Sequence, residues 1–290
     1  MKTITFTCET ITPMFLAGAD GTTPELRAPS IKGALRFWWR AMNGDLFVKK
    51  NKHWDYTKLS EQEGKIFGDT KIRSAIILRI LNESVKGKTQ ISLTPHHRSN
   101  YCHKDKPNCY FKNNRCSKSF LKEGRFVNFD LAVCFDDKIL DQQEVEKLVK
   151  VTFLLGGLGK RSRRGFGSVR ITQVDGKKEC SSLPEENFTD TLILKRNQDF
   201  YPDYPFIKDI KMGNQPYHNY ETLLIKIGEN SHLNKHDSLG YAYPKRRLAS
   251  PIYTSIIKAD DKFYPIITTL NSTFGETSNQ DKYKQAILSS

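Results

Sequence analysis

The run Gly156-Gly157-Leu158-Gly159-Lys160-Arg161-Ser162-Arg163-Arg164-Gly165-Phe166-Gly167-Ser168 concentrates more potential chemistry than any other part of the chain. Five of its first twelve residues are glycine, and four of the five from Lys160 to Arg164 are cationic. Glycine lets a backbone approach other groups closely and take positive φ. Successive N–H groups in such a loop can form an anion-binding nest, and guanidinium forks match phosphate oxygens in pairs. The expected ligand is a phosphate, with Gly157, Gly159, Lys160, Arg161, Arg163 and Arg164 as the groups to hold it. A solvated turn with a chance charge run is the competing reading. Two familiar phosphate motifs fail. A Walker A loop needs Ser or Thr after Gly-Lys and a glycine at position 154, where Arg161 and Leu154 stand. A dinucleotide fingerprint starting at Gly157 and Gly159 needs a glycine where Ser162 lies. Both motifs also open a helix, whereas this loop follows one.

A second cationic group sits near the N-terminus. The spacing of Ile31, Ala34, Leu35, Trp38 and Met42 predicts a helix over 30–43, with Ser30 as N-cap and Gly44 as the stop. Lys32, Arg36 and Arg40 recur every four residues opposite that apolar stripe, so one face is greasy and the other cationic. Such a helix can lie along a phosphate backbone. Arg27 and the amides near Ser30 offer an anion site at its start. Trp38 and Trp39 point to adjacent angles, so one should be buried and the other, taken as Trp39, is free to stack on a base. An ordinary amphipathic helix with both tryptophans in the core is the plainer alternative.

Soft ligands gather at His96, His97, Cys102, His103, Cys109 and Cys116. A structural zinc held by Cys102, His103, Cys109 and Cys116 is one reading, although the pairs spaced by two residues that mark zinc sites are absent. Free thiols in a loop are the other. For acid–base chemistry the chain offers His53, His218, His232 and His236, none with a partner at a distinctive spacing. A metal-free ribonuclease therefore stands as the alternative to a chain that binds RNA without cutting it.

These groups sit in a chain of 290 residues carrying 46 Lys+Arg against 32 Asp+Glu, a formal charge of +14. An excess of that size favours a polyanionic partner. No apolar run approaches the roughly 20 residues needed to span a bilayer, and Thr and Glu interrupt the first fifteen residues, which read as a strand and not as a signal peptide. Six cysteines are too few for a disulfide scaffold in a chain this long. A cytoplasmic setting is expected, with no membrane partner.

The elements that must position these groups follow from periodicity. Ile4, Phe6 and Cys8 alternate with threonines in a strand over 3–8. Strands are expected at 72–81 and 126–135, separated by an insertion at about 83–125. Asp141 and Glu144 form a capping box for a helix bearing Val145, Leu148 and Val149, which ends at Gly156-Gly157 before a strand over 168–174. The order β-α-β-β-α-β is the ferredoxin-like, RRM-like arrangement, so the fold class is α+β. Residues 175–190 are polar and mark a boundary between units of 1–175 and 190–290. The second unit should hold a strand near 191–196, a helix around 219–227, a hairpin of 251–258 with 262–270 across Asp260-Asp261, and a polar tail of some twenty residues that frays.

Ile11-Thr12-Pro13-Met14-Phe15-Leu16 together with Ala28-Pro29-Ser30-Ile31-Lys32-Gly33-Ala34-Leu35-Arg36-Phe37-Trp38-Trp39-Arg40 resembles the N-terminus of the RAMP superfamily of CRISPR proteins. Within it, the family of the subunit numbered one of the type III-B (Cmr) complex is most similar. The Gly156–Gly167 loop is similar to the superfamily's glycine-rich loop, and Leu248–Ile252 with Tyr264–Ile267 to the hairpin of the second domain. The resemblance implies two RAMP domains, the second distorted. It also implies contact with the 3′ region of guide RNA and with target RNA, and assembly with the other Cmr-complex RAMP subunits. Arg246 and Arg247, just before that hairpin, join the RNA-binding candidates. In that family the acid that cuts target RNA belongs to another subunit, so no catalytic residue is expected here; some proteins of the superfamily are metal-free endoribonucleases that process guide RNA precursors, and that is the alternative the resemblance leaves open.

Overall fold

The computed structural model describes residues 1–46, 48–50, 53–92, 110–112, 115–117, 121–179, 205–234, 236–243, 246–272 and 278–289. The first half contains β1 (Lys2–Thr10), α1 (Ala28–Met42), β2 (Val48–Lys50), β3 (His53–Asp55), α2 (Thr57–Phe67) and β4 (Ile76–Ser92). It continues with β5 (Tyr110–Lys112), β6 (Arg115–Ser117), β7 (Leu121–Phe135), α3 (Gln142–Leu155), β8 (Val169–Val174) and β9 (Lys177–Lys178). Five strands form one antiparallel sheet in the order β4-β7-β1-β8-β9. Apart from the short β9, this is the ferredoxin-like order expected from the sequence.

Alternation works as anticipated in β1. Ile4, Phe6 and Cys8 are buried against Phe129, Leu131 and Val133 of the paired β7 and against α3. In α3 the Asp141 carboxylate accepts from the Glu144 amide at 2.7 Å, and the Glu144 carboxylate accepts from the Asp141 amide at 2.9 Å. That reciprocal box is worth roughly 1 kcal/mol of helix stability.

Several expectations need correction. Helix α1 begins at Ala28, not after Ser30: Arg27 is the extended N-cap residue, and Pro29 occupies the first turn, where a missing N–H costs nothing. The expected insertion at 83–125 does not begin at a loop. Residues 83–92 and 121–125 extend β4 and β7 into a ribbon whose register continues to Ser92↔Leu121. Its alternation is weak because the β4 side of the distal ribbon is exposed. Helix α2 has few apolar positions; it buries Leu59, Ile66 and Phe67 together with Glu63, and nothing in the pattern announced it.

The second half contains β10 (Ile207–Met212), α4 (Tyr220–Leu233), β11 (Tyr241–Tyr243), β12 (Arg246–Leu248), β13 (Ile252–Ala259), β14 (Lys262–Leu270) and α5 (Ser278–Leu288). Its sheet has the order β10-β14-β13, the ferredoxin-like order with the last edge strand lacking among the described residues. This is the distorted second copy. The β13–β14 hairpin turns at Asp260 and Asp261, both with positive φ (47° and 60°), as the two-residue turn that matches strand twist requires. The tail does not fray: α5 seals the sheet with buried Tyr283 and Ile287. The strand expected near 191–196 lies outside the described residues.

The first half has a core almost wholly its own, and two further clusters are shared between the halves. One cluster joins Trp38, Val151 and Leu155 of the first half to Ile207, Tyr253 and Ile266 of the second. Another joins Ile11, Phe15 and Phe166 to Leu223, Ile227, Ile256 and Tyr283.

Candidate nucleic-acid interface

The glycine-rich loop leaves α3 and runs beside the segment Pro13–Phe15 before it enters β8. Several of its amides are spent on the protein itself. Leu158 N–H donates to Gly167 O at 2.8 Å, Lys160 N–H to Phe15 O at 2.9 Å, and Gly167 N–H to Pro13 O at 3.0 Å. The buried Thr12 hydroxyl donates to Gly165 O and accepts from Ser168 N–H, at 2.7 and 2.9 Å. The glycines are needed for this packing. A Cβ on Gly159 would strike the Phe15 carbonyl, and one on Gly167 the Leu158 carbonyl. Part of the expected anion nest is thus a backbone tie through the Leu158, Lys160 and Gly167 amides, and Gly159 and Gly167 serve close approach within the protein.

The four cations divide. Lys160 and Arg161 face solvent, and among the described residues they make no ion pair. Although exposed, Arg161 has enough protein around it, and then the neighbouring Arg164 charge, to pull its guanidinium below its ordinary pKa. An anion seated there would oppose both effects. Arg163 and Arg164 turn the other way. The Arg163 guanidinium lies 4.6 Å from the centroid of the Tyr253 ring, and its carbonyl accepts from Thr254 N–H at 3.2 Å. Arg164 donates through Nη1 to the Tyr283 hydroxyl at 3.2 Å, and that hydroxyl is 3.0 Å from Thr254 Oγ1. Expected as phosphate ligands, these two arginines instead fasten the loop to β13 and α5.

The cationic face of α1 is also committed elsewhere. Arg36 and Arg40 both donate to the Glu63 carboxylate of α2, which is only 7% exposed. Lys32 Nζ donates to Ser74 Oγ at 2.6 Å and to Ile76 O at 3.2 Å. This face packs on the first-half sheet and does not form an open track. Trp38 and Trp39 are 2% and 9% exposed, so neither stacks on a base. The amides at the start of α1 are spent too, since Ser30 and Ile31 N–H both donate to Arg27 O.

What the structure brings together is a different face of α1 and the outer arm of the loop. They enclose a cleft of about 450 Å³. Ser30, Ile31, Ala34, Phe37 and Trp38 of α1 form one wall, and Gly157, Leu158, Gly159, Lys160 and Ser162 form the opposite one. Phe15, Leu16, Ala17, Glu25, Leu26 and Arg27 close an end, and Tyr253 of β13 contributes from the second half. Arg27, Gly157, Gly159 and Lys160 are the residues expected from the sequence that meet here, with Arg161 beside them. Phe37, Ser162 and Tyr253 were not anticipated; Tyr253 comes from the far half of the chain, and no local signal connects it to the loop. Arg246 and Arg247 lie on the separate β11–β12 hairpin, where Arg247 is exposed. The zinc candidates Cys102, His103 and Cys109 fall outside the described residues, and of Cys116 only its place in β6 is described. Among the described residues no cluster of His, Cys, Asp and Glu could hold a metal, and no helix is long and apolar enough to cross a membrane.

Comparison with known families decides what the loop and the strand order together suggest. Residues 7–170, from β1 into β8, match the RAMP superfamily. The chain belongs to that superfamily. A RAMP relative from Pyrococcus furiosus, the CRISPR system Cmr subunit Cmr1-2, is 33% identical over 185 residues, covering 57% of this chain and 93% of the relative. The crystal structure of Cmr1 from Pyrococcus furiosus, in its apo form, superposes with a TM-score of 0.61 over 100% of this chain and 97% of that one, at 20% identity. A chain in the cryo-EM structure of the type III-B Cmr-beta complex bound to cognate target RNA gives 0.59 over 98% and 99%, at 13% identity. Likeness of fold to those two chains therefore extends through both halves, beyond the residues that match the superfamily.

Proposed function

We propose that this chain is a cytoplasmic RNA-binding subunit of a type III-B (Cmr) CRISPR ribonucleoprotein, contacting the guide RNA 3′ region, target RNA or both. It assembles with neighbouring RAMP subunits. The single observation that carries the RNA reading is the convergence of Arg27 and Lys160 on one cleft, with the exposed Arg161 next in the chain, in a protein of charge +14. The kinship with a named Cmr subunit supports the assembly reading. A division into RAMP units of 1–175 and 190–290 is part of the same proposal, with the shared cores serving as their interface.

Binding is mainly through phosphates, so sequence preference is weak. Affinity falls with salt, by a slope of about 0.7 for each phosphate neutralised on a single strand. The protein holds RNA and does not cut it. His218 is exposed, and His236 accepts from Ser238 N–H as the cap of a short 3₁₀ turn; neither faces the cleft. Incubation of the full chain with a repeat-containing RNA in EDTA tests this. Intact RNA retained at low salt and released at high salt is the expected result. Specific cuts abolished by one His→Ala change would establish the ribonuclease instead.

We also propose that the segment around Cys102, His103, Cys109 and Cys116 carries a structural zinc. Metal analysis of the purified protein should then give about one equivalent, and less than about a tenth of an equivalent ends the idea.

A further inference from the structure

The interior of the cleft does not look like a phosphate site. Its floor is apolar and aromatic. Phe37 and Tyr253 have ring centroids 5.5 Å apart with planes 33° from parallel, and Trp38 meets Tyr253 edge-on at 5.1 Å. Phe37 is only half-buried, so part of its ring is open. The charges stand at the rim: Lys160 on one lip, Arg27 on the other, and Glu25 3.8 Å from Arg27. A mouth that attracts phosphate above a dry aromatic floor is complementary to a nucleotide and not to bare backbone. The volume of about 450 Å³ is that of a small-ligand site, within the roughly 300–1,000 Å³ such sites span.

Resting on the RNA-binding reading above, we infer that this cleft takes one unstacked nucleobase of the bound strand. The base lies against the open part of the Phe37 ring, which Tyr253 and Trp38 support, with its phosphate held by Lys160 and Arg27. Proteins that recognise single-stranded RNA splay bases out and stack them on aromatic rings in this way. Such stacking tolerates any base because every base has a π-face. Glu25 can accept a hydrogen bond from an exocyclic amine, which gives a mild bias toward amino-bearing bases. The second half of the chain contributes by position: Tyr253 is 7% exposed and carries the Arg163 guanidinium over its ring, so it holds Phe37 in place and does not itself stack on the base.

The test compares a short single-stranded RNA with a fully abasic strand of equal length and charge, both titrated against the full chain at low salt. Phosphate contacts alone bind the two equally. The pocket gives the natural strand an advantage of about tenfold, from one stacked base. Two variants locate the effect: Ala34→Phe fills the cleft, and Phe37→Leu keeps apolar bulk without the ring. The natural strand should lose its advantage in whichever variant retains the wild-type unfolding temperature, while the abasic strand binds as before. Equal binding of both strands by the wild type overturns the pocket and leaves the phosphate reading standing. An advantage that persists undiminished in the folded variants places the stacking elsewhere and also overturns it. If neither strand binds at low salt, the RNA-binding reading falls and this inference falls with it.

Discussion

Two groups of arginine and lysine invite the same interpretation from sequence and meet opposite fates in the fold. On α1, Lys32, Arg36 and Arg40 are regularly spaced and amphipathically placed, yet a single carboxylate, Glu63, takes both arginines, and Ser74 with the Ile76 carbonyl takes the lysine. On the loop, Lys160 and Arg161 stand in an irregular segment and are turned to solvent without an ion pair among the described residues. Regular spacing on a helix therefore reported packing, and irregular crowding reported availability. A cation serves a polyanion best where the protein has not already engaged its donors.

The comparison breaks most easily at its strongest point. Lys160→Glu with Arg161→Glu should lower RNA affinity by about a hundredfold at low salt and flatten the salt slope by about one phosphate's worth, with the unfolding temperature unchanged. Anisotropy titrations at two salt concentrations would show it, and an unaltered affinity would remove the outer arm from the interface. Glu63→Ala probes the other group. It strands two guanidinium groups beside α2 and should cost about 1–3 kcal/mol of stability, visible in urea unfolding, with RNA affinity at low salt held within about twofold. A large gain in affinity would instead show that Glu63 masks a usable cationic face. The smallest effect is expected from Tyr283→Phe, which removes the hydroxyl shared by Arg164 and Thr254. About 1 kcal/mol of stability should be lost and RNA binding retained; a marked loss of binding would return Arg164 to the ligand-binding set.

What could be read in advance was local. The capping box of α3 needs residues three apart, the Asp260-Asp261 turn needs two adjacent ones, and β1 declares itself by alternation. Each is settled by neighbours in the chain, so sequence carries it. The fate of Arg36 and Arg40 is settled by a partner 27 and 23 positions away on a helix whose sparse apolar pattern went unread. Trp39 was misjudged for a related reason: it meets Phe67 at the end of α2, at a centroid distance of 6.2 Å, so its burial could not be seen without that helix. Helix α5 escaped notice because only a few apolar side chains, Tyr283 and Ile287 foremost, anchor an otherwise polar segment. The candidate site was half legible. The loop and the start of α1 are both expected from the sequence and both line the cleft, but the participating face of α1 and the contribution of Tyr253 depend on how three distant segments converge.

The isolated parallel bridge between Arg164 and Thr254 has a consequence for cooperativity. It is main-chain contact between a loop of the first half and β13, the edge strand of the second sheet on the side opposite β10. The loop thus belongs structurally to both halves, and the cavity it borders exists only while they remain docked. Any occupant must then favour the docked arrangement by mass action, by about 2.7 kcal/mol at a hundredfold excess over its dissociation constant. Cargo and scaffold would melt as one unit.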